Sequence, residues 1–285
     1  MKNNKNKGDV ESFNENWKKR EEANYTHWTR GSIENQIQLA FRNHWQLFSE
    51  LISKDGASTG DKVLEIGCGR GSLSCYFSDA GYDCTLLDLS ENAIDLAKEI
   101  FKKNNLKANF IVGDANNLDL KDNSFDVIYS IGLLEHFDDV EQTLSEQIRV
   151  LNDGGIWFGY IVPKYEKNIQ NEYNWINEIL RAYKSNIDNT HEEKEKVFRS
   201  DFGSERYIPV LEKLGLKNIK SSGVYPVPMI SHSIDFPFSL MPRESEKTLV
   251  AHLEKMLHSN GKETGMNPWL CKESFGNAFL VWGIK

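Results

Sequence analysis

Val63-Leu64-Glu65-Ile66-Gly67-Cys68-Gly69-Arg70-Gly71-Ser72 is a short apolar run that empties into alternating glycines. Val63, Leu64 and Ile66 read as a buried strand, and the residues from Ser72 to Ala80 as the helix behind it. Glycines 67, 69 and 71 let the main chain turn sharply and let a ligand lie directly on it. Such a turn by itself is shared by dinucleotide-binding and P-loop proteins, and also occurs with no ligand at all. The dinucleotide spacing G-x-G-x-x-G fails here, because the residue three after Gly69 is Ser72. Arg70-Gly71-Ser72 does not supply the Gly-Lys-Ser/Thr of a Walker A loop. Glu65, an acid beside the glycines, would repel a pyrophosphate and suits a cationic ligand.

Outward from this turn the chain alternates. Strand 62–66 leads to helix 72–80, which Gly81 ends as a C-cap glycine would. Strand 84–88 leads through the N-cap candidate Ser90 to a helix of 91–104. Strand 109–112 ends in Gly113-Asp114-Ala115, and strand 125–131 ends in Gly132-Leu133-Leu134-Glu135-His136-Phe137. A helix of 139–151 and a strand of 156–162 follow. This rhythm predicts right-handed βαβ units and a parallel sheet covered on both faces. After Pro163 the pattern breaks. Residues 164–203 are rich in Asn, Lys and Glu, with an apolar island at Tyr173, Trp175, Ile176, Ile179 and Leu180 that reads as an inserted helix. A helix near 204–214, with Ser204 as N-cap and Gly215 as stop, and a strand near 216–225 resume the plan. A second insertion, 226–272, contains a helical stretch at 244–257, and Ala278–Ile284 forms a last apolar strand.

Upstream, residues 1–11 are Lys/Asn-rich without the apolar core of a signal peptide, and read as a disordered tail. Residues 12–57 bring Tyr25, His27 and Trp28, then a helix from an N-cap at Ser32. Ile33, Ile37, Phe41, His44, Trp45, Phe48 and Ile52 form one stripe of that helix, which predicts docking on a core. The segment around Tyr25, His27 and Trp28 is expected to line a ligand site.

The 285 residues are 39% hydrophobic and carry a formal charge of −8, which supports a sizeable core and argues against a large nucleic-acid surface. Four cysteines, at 68, 75, 84 and 271, make no CxxC pair, so neither a zinc site nor a disulfide framework is expected, and a reducing cytoplasm fits. Asp138-Asp139 reads as a helix-start pair rather than a metal site, and no metal is expected. No apolar run approaches a membrane span. The oligomeric state stays open, a homodimer included.

The glycine turn, with Glu65 before it and this order of elements after it, resembles motif I of class I S-adenosylmethionine-dependent methyltransferases, the small-molecule and UbiE-like members in particular. The likeness covers about 58–162, more loosely 204–225 and 277–285, and says nothing of 1–50, 164–203 or 228–272. It implies an α/β fold with a doubly wound seven-stranded sheet, mostly parallel with an antiparallel last strand. It also implies a methyltransferase domain over 58–285, behind an N-terminal helical cap over 12–57, with lid insertions at 164–203 and 226–272.

The resemblance further implies S-adenosyl-L-methionine as cofactor and S-adenosyl-L-homocysteine as product. Glu65, Gly67, Cys68, Gly69 and Gly71 would hold the methionine half, Asp88 and Leu89 the ribose, Asp114 and Ala115 the adenine, with Ile131 beside them. A carboxylate at Asp88 can accept both ribose hydroxyls, although an acid at a strand end is also a common cap. The fourth strand ends without an NPPY-like tetrapeptide, which weakens amide or exocyclic-amine methylation. Its hydrophobic-Glu-His segment is similar to that of small-molecule and quinone methyltransferases and of cyclopropane fatty acid synthases. Methyl transfer needs alignment and exclusion of water, and a base only where the acceptor must lose a proton. His136, His27 and Tyr25 are the catalytic candidates, with Glu135 and Tyr160 behind them; a histidine at 136 bonded to local backbone is the plainer alternative. The expected function is O- or N-methylation of a small molecule, in a pocket drawing on Tyr173, Trp175, Phe236, Phe238 and Trp269. A lipid or quinone acceptor, cyclopropane-synthase-like chemistry included, is the alternative, and a non-catalytic S-adenosylmethionine-binding module is the alternative of another class.

Overall fold

The computed structural model describes residues 27–55, 62–165, 167–188, 198–231 and 241–285, without the side chains of 184–188. The tail at 1–11, Tyr25, Phe236 and Phe238 lie outside the described residues. Helices are α1 (Gln36–Asp55), α2 (Ser72–Asp79), α3 (Glu91–Lys103), α4 (Glu141–Val150), α5 (Ile169–Asp188), α6 (Ile208–Lys213) and α7 (Arg243–Thr264). Strands are β1 (Lys62–Ile66), β2 (Asp83–Asp88), β3 (Asn109–Val112), β4 (Phe125–Ile131), β5 (Leu151–Ile161), β6 (Lys217–Val224), β7 (Leu270–Cys271) and β8 (Ala278–Ile284).

The strands form one sheet in the order β3-β2-β1-β4-β5-β8-β6-β7. Pairs among β1 to β5 are parallel, and β8 inserts antiparallel between β5 and β6. Seven of these are the expected strands. The eighth, β7, is a two-residue edge that pairs with Gly223 and Val224.

Period-two alternation explains the two-sided core. Val63, Leu86, Tyr129 and Phe158 point to one face, where they meet Phe48 of α1, Phe77 of α2, Phe101 of α3 and Leu257 of α7. Leu64, Leu87, Ile128 and Trp157 point to the other, against Leu144 and Ile148 of α4 and Leu211 of α6. Phe48 stacks on Phe158 at 4.5 Å between ring centroids, so the apolar stripe of α1 docks directly on the sheet.

Several local signals land where expected. Ser90 caps α3, its hydroxyl accepting the Ala93 N–H at 3.2 Å. After α2, Tyr82 N bonds Phe77 O and Gly81 N bonds Ser78 O, the paired bonds of a Schellman stop. Two cap assignments are corrected. The first turn of α1 is capped by Asn35, whose Oδ1 accepts the Gln38 N–H at 2.8 Å, and not by Ser32. Ser204 starts a 3-10 turn and donates its hydroxyl to the half-buried Glu273 carboxylate at 2.7 Å, because an ionised carboxylate is a stronger partner than the backbone N–H groups of the turn.

Candidate functional site

The glycine turn joins the C-terminal end of β1 to α2. Gly67 and Gly71 adopt φ of 69° and 68°, a left-handed conformation that side chains resist. A Cβ at Gly67 would stand 2.9 Å from Leu133 Cδ1, and one at Gly71 2.4 Å from Leu86 Cδ2. The Gly67 and Cys68 N–H groups donate to Leu87 O at 2.8 and 3.0 Å, tying the turn to β2. Asp88 completes the brace: Oδ2 accepts the Gly69 N–H at 2.8 Å and Oδ1 accepts the Ser90 N–H at 2.9 Å. A carboxylate has about four acceptor positions, so two remain for ligand hydroxyls. Burial raises the Asp88 pKa while these backbone donors pull it down.

Parallel register puts the other candidates on the same edge. Ile66 pairs with Leu87, Asp88 with Val112 and Ile131 with Tyr160, so the ends of β1 to β5 lie side by side. The helix after β1 covers one face and the helix after β4 the other. The crevice between β1 and β4 is therefore the topological switch point, where open α/β sheets bind ligands. Asp114 follows β3 and folds an Asx turn, its Oδ1 accepting the Asn116 N–H at 2.8 Å. Ala115 is buried, Leu89 exposed and Ile131 half-buried along this edge.

Glu65 corrects the electrostatic reading of the turn. It is buried beneath it, with Ser74 Oγ donating to Oε2 at 2.6 Å and the Tyr129 hydroxyl 2.7 Å from that Oγ. Burial pushes its pKa up to about 8, so its charge is held back at neutral pH rather than standing fixed beside the glycines. A cation brought close would restore the ionised form. Ser74 as its partner was not visible in the sequence, because nothing in a helix pattern marks which serine faces a strand.

The catalytic candidates separate. His27 lies over the start of α2: Nδ1 is 3.0 Å from Ser72 Oγ, and Arg70 Nη1 is 3.0 Å from Nε2. A guanidinium only donates, so Nε2 accepts and Nδ1 carries the proton. That lone pair is engaged by Arg70, and His27 in this arrangement steadies the turn rather than standing ready as a base. His136 Nδ1 donates to Phe198 O at 2.6 Å, which puts its lone pair on Nε2. The backbone partner is real but not local, since Phe198 lies in the inserted segment. Glu135 beside it is 1% exposed, with its pKa raised to about 8 by burial, and Oε1 stands 4.0 Å from His136 Nε2.

Two aromatic expectations change. Trp175 is 59% exposed on α5, whose buried face instead carries Ile169 and Asn177, the latter bonded to Ile230 O at 2.8 Å. Trp269 is fully buried and donates its indole N–H to His44 Nδ1 at 2.9 Å. His44 was legible only as one member of an apolar stripe. Asp139 Oδ1 accepts the Glu141 N–H at 2.9 Å, at the start of α4. Among the described residues no cluster of His, Cys, Asp and Glu could hold a metal ion, and no helix is long and apolar enough to cross a membrane.

The site suits S-adenosylmethionine by its own chemistry: a backbone cradle that a Cβ would fill, a carboxylate for vicinal hydroxyls, and a buried carboxyl that a cation would ionise. Comparison with known proteins agrees. Residues 64–158 match the family described as Methyltransferase domain. Sterol 24-C-methyltransferase of Pneumocystis carinii is 36% identical over 119 residues, 40% of this chain and 32% of the relative. Demethylmenaquinone methyltransferase of Renibacterium salmoninarum is 34% identical over 100 residues, 35% of this chain and 40% of the relative. The chain thus spans 32% and 40% of the length of these two curated relatives. The solved YcgJ protein of Bacillus subtilis is 19% identical with a TM-score of 0.49, covering 85% of this chain and 98% of its own. Residues 64–158 of this chain are thus similar to a methyltransferase domain.

Proposed function

We propose that the protein is a methyltransferase that moves the methyl group of S-adenosylmethionine to a small-molecule acceptor by in-line displacement. The observation that carries this reading is the Asp88 brace on the glycine turn at the switch point between β1 and β4. Bound there, the cofactor supplies a methyl group already activated by a sulfonium. The chain's own work is then positional. The glycine backbone admits the methionine half, Glu65 answers its cation from below, Asp88 accepts the ribose hydroxyls, and Asp114 with the Ala115 N–H faces the adenine. Leu89 and Ile131 give the apolar contact that excludes water around them.

Residues 12–57 and the insertions at 164–203 and 226–272 are assigned the covering of the acceptor. His136 is the candidate base, because a lone pair on Nε2 is what proton removal from a hydroxyl or ammonium acceptor needs. His27 is assigned the closing of the N-terminal segment over the turn. O- or N-methylation of a small metabolite is the leading reading, and the likenesses to demethylmenaquinone methyltransferase and sterol 24-C-methyltransferase support a quinone or lipid acceptor as the second.

Calorimetric titration with S-adenosylmethionine tests the core of this assignment. Wild type is expected to bind and Asp88→Ala to bind weakly. No heat with wild type overturns the cofactor reading, and equal binding by both overturns the ribose role. Mass spectrometry of cell extract incubated with labelled methyl donor then reads out the acceptor, with lipid and aqueous fractions separating the two acceptor classes.

A further inference from the structure

Glu135 is a buried acid whose hydrogen bonding is incomplete. It lies in the 3-10 turn Leu134–His136 that follows β4, with 1% of its surface exposed. The other buried acids are bonded to side chains and backbone around them, Glu65 to Ser74 and Glu246 to Gln36 and Ser231. Glu135 Oε2 has no hydrogen-bond partner among the described residues. A buried carboxyl with an unmade bond lowers stability, so packing gives no reason for an acid at this position.

The histidine beside it does. Glu135 Oε1 is 4.0 Å from His136 Nε2, too long for a direct hydrogen bond but well within the range over which two charges act on each other. The stretch 198–206 fixes this facing. Phe198 O accepts the His136 Nδ1–H at 2.6 Å, and the Ser200 N–H donates to Glu135 O at 2.8 Å. Arg206 Nη2 donates to Phe137 O at 2.8 Å and to Asp138 O at 2.6 Å. Nε2 is therefore the ring nitrogen that gains and loses a proton, and it does so beside the carboxyl. Burial pushes the Glu135 pKa up to about 8, against the pull of its own N–H, the Arg199 charge and the Val162 N–H. Burial also keeps the phenols of Tyr160 and Tyr207 neutral, and the Glu135 charge pushes both further up. Of the groups around Glu135, His136 is the one whose charge changes near neutral pH.

We infer that Glu135 is the positioning residue of the candidate base: its carboxylate, 4.0 Å from Nε2, stabilises the imidazolium that forms when His136 takes a proton from the methyl acceptor. The inference rests on the methyltransferase reading above and deepens it to the control of its base. While the pair holds one proton, that proton sits on Glu135 or on Nε2 and leaves no strong base. Once it has gone, Nε2 presents its lone pair with a carboxylate beside it. The proton of an acceptor O–H or N–H then passes to Nε2, and the new positive charge is matched by the carboxylate. The electron pair left on the acceptor forms the bond to the methyl carbon, and the carbon–sulfur pair stays on sulfur. The two side chains titrate as one unit.

Carbon-13 and nitrogen-15 NMR of the full chain from pH 5 to 10 tests this, with the His136 signals assigned by their loss in His136→Asn. In wild type the His136 ring and the Glu135 carboxyl carbon are expected to shift together, in a step above the ordinary histidine value of about 6.5. At the high-pH end the ring proton is expected on Nδ1. Glu135→Gln should leave His136 a single step about one pH unit lower, and Glu135→Asp, which keeps a carboxylate, should restore part of the difference. An equal midpoint in wild type and Glu135→Gln overturns the proposal, as does a His136 step with no change at Glu135, or a ring proton on Nε2 at high pH. The wild-type comparison needs no variant, so it decides the matter even where Glu135→Gln does not fold. Calorimetry with S-adenosyl-L-homocysteine is run separately. No heat there sinks the cofactor reading, while the coupling of the two side chains is still read from the ligand-free spectra.

Discussion

The Asp88 carboxylate accepts the Gly69 N–H at 2.8 Å, so the end of β2 braces the middle of a turn 19 residues behind it in the chain. One acid thereby shapes the backbone of the turn. Asp88→Asn keeps the size and removes the charge. It is expected to lower S-adenosylmethionine affinity by about tenfold or more and stability by about 1–2 kcal/mol, since charge-assisted bonds of this kind contribute about that much. Calorimetry and thermal unfolding without ligand measure the two losses separately.

Gly71→Ala and Gly81→Ala separate crowding from backbone strain. Both glycines have positive φ, 68° and 96°, but a Cβ at Gly71 strikes Leu86 at 2.4 Å while one at Gly81 meets nothing within 4 Å. Gly81→Ala should cost about 1 kcal/mol, the backbone contribution alone. Gly71→Ala should cost about 2–4 kcal/mol and also displace the turn. Urea midpoints at constant m-value give both numbers.

Glu65 sets a pH dependence of known sign. Its folded pKa, about 8, lies above the ordinary 4.5, so the folded state holds a proton that the unfolded chain releases. The stability from this group is complete below about pH 4.5 and is lost as pH rises toward about 8, by at most about 1.4 kcal/mol per pH unit. Glu135, also raised to about 8, acts in the same direction. Stability of the ligand-free protein should therefore fall across that window, and Glu65→Gln should make the fall shallower. Urea titrations at several pH values decide it; an unchanged slope in the variant would show that Glu65 is ionised as the protein stands.

Glu246 pins α7 to the start of α1. Its Oε1 accepts the Gln36 N–H at 3.1 Å and the Ser231 hydroxyl at 2.7 Å, while Gln36 Oε1 takes the Ile230 N–H at 2.9 Å. All three of Gln36, Ser231 and Glu246 are buried. Glu246→Ala leaves a buried N–H and hydroxyl without this acceptor and should cost about 2–4 kcal/mol. Hydrogen exchange should quicken at Gln36 and Ser231 and stay slow at Leu64 in the central strand.

The doubly wound sheet was legible because its evidence is local and periodic. Strands such as Phe125–Ile131 and Ala278–Ile284 are apolar runs bounded by turn residues, and Ser90 and Gly81 sit at helix ends where side-chain and backbone preferences agree. The cap at Ser32 failed for the converse reason: Asn35, three residues on, is an equally good cap, and the depth of the docked stripe decides between them. Of the candidate site, the glycine turn and the place of Asp88 at the end of β2 were readable from spacing. The environment of Glu65 was not, since its charge depends on Ser74 and Tyr129, brought to it from a helix and another strand.

The sequence by itself determined the class of fold and the position of the turn, because backbone freedom at glycine and the period of apolar residues are properties of short stretches. Only the tertiary structure decided which groups carry charge and which face a ligand. Ionisation follows burial, and burial follows what packs against a residue from distant parts of the chain. Glu65 changed from a fixed charge to a poised one, His27 became bound to Arg70 and Ser72, and His44 emerged from an apolar stripe as the acceptor of the Trp269 indole N–H, 225 residues away.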